Sequence, residues 1–308
     1  MLKRRLQQIN KKEAKMQDNY RSSLRTVDVV TIGYLLIVAL IILIFGSELR
    51  GRSVYILSHL LVSSIILLLV RATNPSSNRL ITFARNWYPL FLFGPLFEEI
   101  DKIATLIFPF WADRYLIVID RVLFSGHPTV LLEKIATPWL TEYMSFAYLF
   151  YFLLIPILGG VLYAKGKEKE FQEFFLAVSL GYYLSYIMFL LIPAEGPHRT
   201  LSHLQSIPYL EGGFFKSLED FVQNMGGIHG GAFPSSHVAA AMVTLIFSYR
   251  YERSAFYPFL PIILSLFIAT VYNRYHYATD VIGGVLIGWF CTWVAVRLNS
   301  RRACTGRT

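Results

Sequence analysis

An all-α, polytopic membrane bundle of about eight spans is the fold class the sequence predicts, and three observations predict it. Of 308 residues, 55% are hydrophobic and only 16% charged, with a mean hydropathy of +0.47. Soluble domains carry about 25% charged residues. The apolar residues gather into stretches near the ~20 residues that a helix needs to cross a bilayer. Between them, basic residues concentrate in alternate loops, as the positive-inside rule requires.

Residues 1–28 form a polar, basic tail, with Lys3, Arg4, Arg5, Lys11, Lys12, Lys15, Arg21 and Arg25. It reads as a cytoplasmic segment or an amphipathic surface helix. Residues 29–140 are N-terminal membrane helices with an interfacial segment. The first span is expected over 29–46 and the second over 53–70. The third, 88–110, contains Glu98, Glu99, Asp101 and Lys102. Such charges are costly in a bilayer unless paired or wet, so this stretch reads as a broken or interfacial helix. Residues 111–140 are mixed and read as an interfacial amphipathic segment turning at Gly126–Pro128. Residues 141–297 carry the remaining spans: 143–164, 171–192, 235–249, 256–272 and 281–296. A short basic tail, 298–308, follows.

With the N-terminus cytoplasmic, the inside segments hold 20 of the 29 Lys and Arg residues. Both termini are then expected inside. The net charge of +9 needs no nucleic-acid partner, because it follows from this loop bias. Cys291 lies in an apolar stretch and Cys304 in the basic tail, which is neither a disulfide framework nor a metal-ligand pattern. The first twenty-odd residues are too polar for the apolar core of a signal peptide.

Three polar clusters fall at the same, non-cytoplasmic ends of adjacent spans. The first is Glu195-Gly196-Pro197-His198-Arg199. Arg199 offers a planar fork of donors suited to phosphate, or is an interfacial arginine reaching for water. The second is GGIHGGAFPSSH, residues 226–237. Ser235 or Ser236 is a natural N-cap. A helix start presents free N–H groups and partial positive charge to an anion, and His237 adds a proton donor or acceptor on the first turn. An ordinary capped helix with a surface histidine is the plain alternative. The third is Arg274-Tyr275-His276-Tyr277-Ala278-Thr279-Asp280. If the last helix has begun there, His276 and Asp280 share a face. The carboxylate would then fix the imidazole tautomer and sharpen the other nitrogen as nucleophile or base, or the pair merely caps a helix.

The order GPHR, FPSSHVAA, HYATDVIGG resembles the type 2 phosphatidic acid phosphatase superfamily, over about residues 182–289. That family includes lipid phosphate phosphatases, undecaprenyl pyrophosphate phosphatases, inositol phosphorylceramide synthases and vanadium haloperoxidases. Its pattern is Lys-x6-Arg-Pro, then Pro-Ser-Gly-His, then Ser-Arg-x5-His-x3-Asp. The resemblance implies a phosphatase-like helical core in the C-terminal half. It implies that His276 is the nucleophile forming a phosphohistidine, Asp280 its orienting partner and His237 the acid for the leaving oxygen. Ser235, Ser236 and Arg199 would bind phosphate. The chain departs from the pattern at Ile192, Thr200, Ser236 and Thr270, which stand where the family has Lys, Pro, Gly and its second Arg. Arg274 is the nearby basic substitute, so phosphate is expected to be held by Arg199, Arg274 and His198 in a different arrangement. These departures, the large N-terminal half and the HY-x2-DV-x-G ending lean toward the branch that includes inositol phosphorylceramide synthases.

The expected activity is hydrolysis of a lipid phosphate or pyrophosphate at the external face of the membrane, with the lipid as partner. Phosphotransfer to a lipid or sugar alcohol is the alternative. A transporter would place such groups mid-membrane in broken, repeated helices, and a non-catalytic relative would be expected to have lost His237 or His276. No metal or other cofactor is expected, since no carboxylate pair or cysteine set accompanies the histidines and arginines supply the charge. A bacterial inner membrane, with the site periplasmic, is the expected location.

Overall fold

The structure, a computed structural model, describes residues 24–73 and 78–305, with side chains to residue 298. The basic tail expected at 1–28 thus lies outside the described residues up to residue 23, as do the side chains of the 299–308 tail. Twelve α-helices are described: α1 Thr26–Phe45, α2 Arg52–Ala72, α3 Arg79–Ile103, α4 Asp113–Phe124, α5 Pro128–Leu131, α6 Pro138–Ala164, α7 Glu168–Leu191, α8 Pro197–Thr200, α9 Phe214–Gly226, α10 Ser236–Tyr251, α11 Arg253–Tyr272 and α12 Ala278–Thr305. Among the described residues there is no strand, only an isolated parallel bridge between Ala194 and Gly231.

Among the described residues six helices are long and apolar enough to cross a membrane: α1, α2, α6, α7, α11 and α12 up to Leu298. Counting the pair Asp113–Phe124 and Pro128–Ile135, bent by 58°, as one broken span makes seven. The helical architecture is the expected one, and the count falls short of eight at two elements. The expected third span is part of α3, which carries six charged residues along its 25 positions. The expected sixth span is α10, whose 16 residues reach only about 24 Å at 1.5 Å per residue. The turn expected at Gly126–Pro128 is present. α4 ends on Ser125 in the left-handed conformation (φ 56°), and α5 restarts with Pro128 at its first position, where a missing N–H costs nothing.

The chain forms two compact units, residues 1–92 and 93–308. In the first, α1 packs on α2. Asp28 accepts hydrogen bonds from both terminal nitrogens of Arg85 and from the Tyr88 hydroxyl at 2.7 Å, and Arg25 donates to Asn86 at 2.6 Å. Asp28 and Arg85 are fully buried, a placement that charges tolerate only when paired.

In the second unit α7 is the central helix: 72% of its apolar window is buried, against 28% for α12. Both α10 and α12 pack on α7 and on each other. Glycines set the spacing between α10 and α12. A Cβ on Gly284 would come within 2.5 Å of the Ser235 carbonyl and 2.8 Å of Val238 Cβ, and one on Gly288 within 2.5 Å of the Ala239 carbonyl. Four residues apart on one face, they let the two backbones touch, the small-xxx-small mode of membrane helices. This contact brings the N-termini of α10 and α12 together, and the amide of Ser235 donates to the carbonyl of Asp280 at 3.0 Å.

Gly284→Val should destabilise the protein by about 1–3 kcal/mol, the usual cost of forced overpacking. Gly160→Ala, at a position where a Cβ meets nothing within 4 Å, should not. Thermal unfolding of the two variants in the same detergent checks this.

Candidate active site

The three polar clusters meet because backbone hydrogen bonds join the loops that carry them. The amide of Ala232 donates to Ala194 at 3.1 Å, joining the glycine stretch to the strand-like start of the PAEGPHR loop. The amide of His198 donates to the Arg274 carbonyl at 2.9 Å, joining that loop to the one after α11. Gly196, at φ 101°, makes the close approach: a Cβ there would meet the Tyr275 carbonyl at 2.6 Å.

His276 lies at the meeting point and is buried. Its Nδ1 contacts the Ala232 carbonyl at 2.8 Å and Asp280 Oδ2 at 3.3 Å. The sequence-based geometry needs correcting here. α12 starts at Ala278, so His276 precedes the helix instead of sharing its face with Asp280. Asp280 reaches back because its Oδ2 also accepts the Tyr277 amide at 2.8 Å, and the shorter bond to His276 comes from the backbone of the glycine stretch. A carbonyl can only accept, so Nδ1 carries the proton and Nε2 carries the lone pair. Burial pushes the His276 pKa down to about 4, against the raising effect of the Ala232 bond. The ring is therefore neutral near pH 7, with Nε2 unpartnered among the described residues.

His237 stands on the first turn of α10, its ring centroid 5.7 Å from that of His276. Tyr151 and Tyr148 flank it at 4.5 and 5.3 Å, and Phe97 meets it edge-on at 6.3 Å. The Tyr148 hydroxyl is 3.3 Å from its Nε2, while its Nδ1 is buried without a partner among the described residues. Ser235 is the N-cap, accepting from the Val238 amide at 3.4 Å, and Ser236 is buried beside it. The first amides of α10 thus remain for an anion.

Arg199 is exposed, and its Nε donates to His198 Nε2 at 3.2 Å. Among the described residues its terminal nitrogens have no protein acceptor. Arg274 differs. One terminal nitrogen donates to Gln205 at 2.9 Å, and the other to Glu133 at 2.8 Å and to the Ile207 carbonyl at 2.7 Å, in a buried ion pair. These contacts hold a non-glycine residue at φ 69°, a conformation that needs such support. The expectation that Arg274 substitutes for a phosphate-binding arginine does not fit this geometry, because its terminal donors are occupied by protein.

The family model of the PAP2 superfamily matches residues 114–294, more than half of the chain. The chain belongs to the PAP2 superfamily. No curated protein and no solved structure matches it.

The match begins inside α4, in the segment whose sequence reads as interfacial and amphipathic, and this helix supports the loops of the candidate site. Asp113 accepts the amides of Glu195 and Gly196, both at 2.9 Å, and the Tyr277 hydroxyl at 2.7 Å. Asp120 accepts the amides of Ala278 and Thr279 at 3.0 and 2.8 Å and the Thr279 hydroxyl at 2.5 Å. Both are buried. They lie seven residues apart, two helical turns, and so share one face. That seven-residue spacing in an amphipathic helix was the available signal. Glu133 serves the same loops through Arg274 and through the amide and hydroxyl of Ser206, at 3.0 and 2.8 Å. Among the described residues no three His, Cys, Asp or Glu side chains group so as to hold a metal.

Arg199→Ala should lower kcat/KM by about 10²-fold, the scale for removing one transition-state donor, with little change in melting temperature. Arg274→Gln should do the reverse first: it leaves the buried Glu133 carboxylate without its counter-charge, with only Ser206 donating to it among the described residues, a loss of about 3 kcal/mol. Parallel melting curves and kinetics on the purified variants separate the two.

Proposed function

We propose that this PAP2-superfamily membrane protein hydrolyses a lipid phosphate or pyrophosphate at the non-cytoplasmic membrane face, through a phosphohistidine on His276. The observation that carries the reading is the pair of imidazoles 5.7 Å apart, one with Nδ1 fixed by Ala232 and Asp280. A nucleophile and an acid placed side by side are what the reaction requires.

In the first half, Nε2 of His276 attacks phosphorus, the bond from phosphorus to the lipid oxygen breaks, and protonated His237 gives its proton to that oxygen. In the second, neutral His237 takes a proton from water as the water oxygen attacks the phosphohistidine. Phosphate leaves with the new P–O bond, and His276 returns to its starting form. The Nδ1 proton stays on His276 throughout, and Asp280 and the Ala232 carbonyl stabilise the cationic phosphoimidazole. Arg199, the α10 amides and the Ser235–Ser236 turn neutralise charge on the phosphoryl oxygens, the main demand of phosphoryl transfer. Burial and the neighbouring His276 oppose a charge on His237, so its acid role depends on the negative charge of the bound phosphate to hold the proton there. Cytoplasmic termini and an external site follow from the eight-crossing arrangement, in which 20 of the 29 basic residues fall inside; that arrangement requires α3 and α10 to cross in addition to the six long apolar helices. A bacterial inner membrane suits the compact chain with its short loops. A lipid or sugar alcohol in place of water would turn the same first half into phosphotransfer.

Purified protein given a panel of lipid phosphates and pyrophosphates should release free phosphate. His276→Ala should abolish turnover. His237→Ala should lower it by about 10²–10⁴-fold, and less for a good leaving group such as p-nitrophenolate. Label appearing in a new lipid with little free phosphate would replace hydrolysis by transfer, and near-normal activity of His276→Ala would refute the mechanism.

A further inference from the structure

α9 is amphipathic in the opposite sense to a helix on a water-soluble surface. Its outward side carries Phe214, Leu218, Phe221 and Met225, exposed by 71, 39, 62 and 75%. These positions follow the i, i+4, i+7, i+11 spacing of one helix face. Between them the outward residues are Ser217 and Asn224, so no charge lies on that side. The charges are turned away: Lys216 and Glu219 are buried, and Lys216 pairs with Asp220, which also accepts from the Tyr209 hydroxyl at 2.7 Å. Four large apolar side chains in a charge-free row form a patch that water does not favour.

The patch lies beside α6, a helix long and apolar enough to cross the membrane, whose outward side chains are apolar. Glu142 near the start of α6 accepts the amides of Gly213, Phe215 and Lys216 at 2.7, 2.8 and 3.1 Å, and so anchors the start of α9. Phe215 packs edge-on against Phe146 at 5.1 Å. Gln223 donates to Tyr148 at 2.8 Å. α9 therefore runs beside α6 from Glu142 to Tyr148, six residues or about 9 Å along a spanning helix. The outer side of α6 there carries Trp139, 75% exposed and stacked on Tyr143, and deeper down Phe152 and Leu153 at 51 and 50%. Trp and Tyr at the end of a span mark the headgroup level.

We infer that α9 is an interfacial helix whose Phe214, Leu218, Phe221 and Met225 are seated in the headgroup–acyl boundary of the bilayer beside the mouth of the site. Its polar face holds the site from the other side: Gln223 contacts Tyr148, whose hydroxyl lies against His237, and Glu219 accepts from Asn273, three residues before His276, at 3.1 Å. The occupant is lipid and not a second copy of the chain, because the stripe merges with the lipid-facing side of α6.

The test reads depth, not turnover, and so stands apart from the reaction proposed above. Cys291 and Cys304 are replaced by serine, and single cysteines are placed by Phe221→Cys and Met225→Cys. Leu153→Cys on the face of α6 and Ser202→Cys in the exposed loop serve as references. Each is labelled with an environment-sensitive fluorophore in phosphatidylcholine–phosphatidylglycerol vesicles. Probes at 221 and 225 should match the blue-shifted emission of the 153 probe and lose most of their intensity when the lipids carry brominated acyl chains. Emission like that of the 202 probe would overturn the inference. So would blue-shifted emission that bromine does not quench, which would mean protein, such as a second copy, covers the stripe. Agreement between two adjacent turns guards against one label disturbing its own site.

Discussion

The 2.8 Å contact between His276 Nδ1 and the Ala232 carbonyl is the constraint on which the rest of the site depends. It sets the tautomer, and the tautomer puts the lone pair on Nε2. A backbone carbonyl is a firm partner only if its loop is held, and this loop is held at both ends. Ala232 bonds back to Ala194, and Ser235 to Asp280. The close approach of α10 to α12 at Gly284 and Gly288 is the packing event that makes the second bond possible. Helix packing in the apolar region is thereby converted into imidazole orientation at its edge.

The loops themselves are polar backbone placed among apolar helices, and each free amide needs an acceptor. Asp113, Asp120, Glu133 and Glu142 provide acceptors, each taking two or more donors. A carboxylate satisfies several amides at once, and bonds to a charged acceptor are roughly twice as strong as neutral ones. Three of the four, Asp113, Asp120 and Glu133, fall within the bent stretch 113–135, and Glu142 lies just beyond it at the start of α6. That stretch works as a strap across the loops of the candidate site, which agrees with a family match that starts at residue 114 and not at the first histidine motif.

The helical fold was legible in the sequence because apolar stretches of near-bilayer length leave little else possible. The two departures, α3 and α10, are elements whose charges or length depart from that rule. The gathering of His198, Arg199, Ser235, Ser236, His237, His276 and Asp280 at one end of the bundle was legible from motif order and loop polarity. The partner of His276 was not, because a carbonyl has no sequence signature. Arg274 was misjudged for a related reason: its competitor for substrate, Glu133, lies 141 positions away, and spacing rules do not reach that far. Asp113 and Asp120 were visible as a heptad pair, but in an amphipathic helix that pattern also describes a wet face.

The proposed reaction comes down to one covalent bond, between His276 Nε2 and phosphorus. Alkaline quenching during turnover of phosphatidic acid labelled with radioactive phosphate, followed by peptide mapping, tests it directly. The account predicts alkali-stable, acid-labile label on the peptide containing His276, and none in a His276→Ala sample. Label on any other residue, or free phosphate released at full rate with no labelled protein at any quench time, would contradict it.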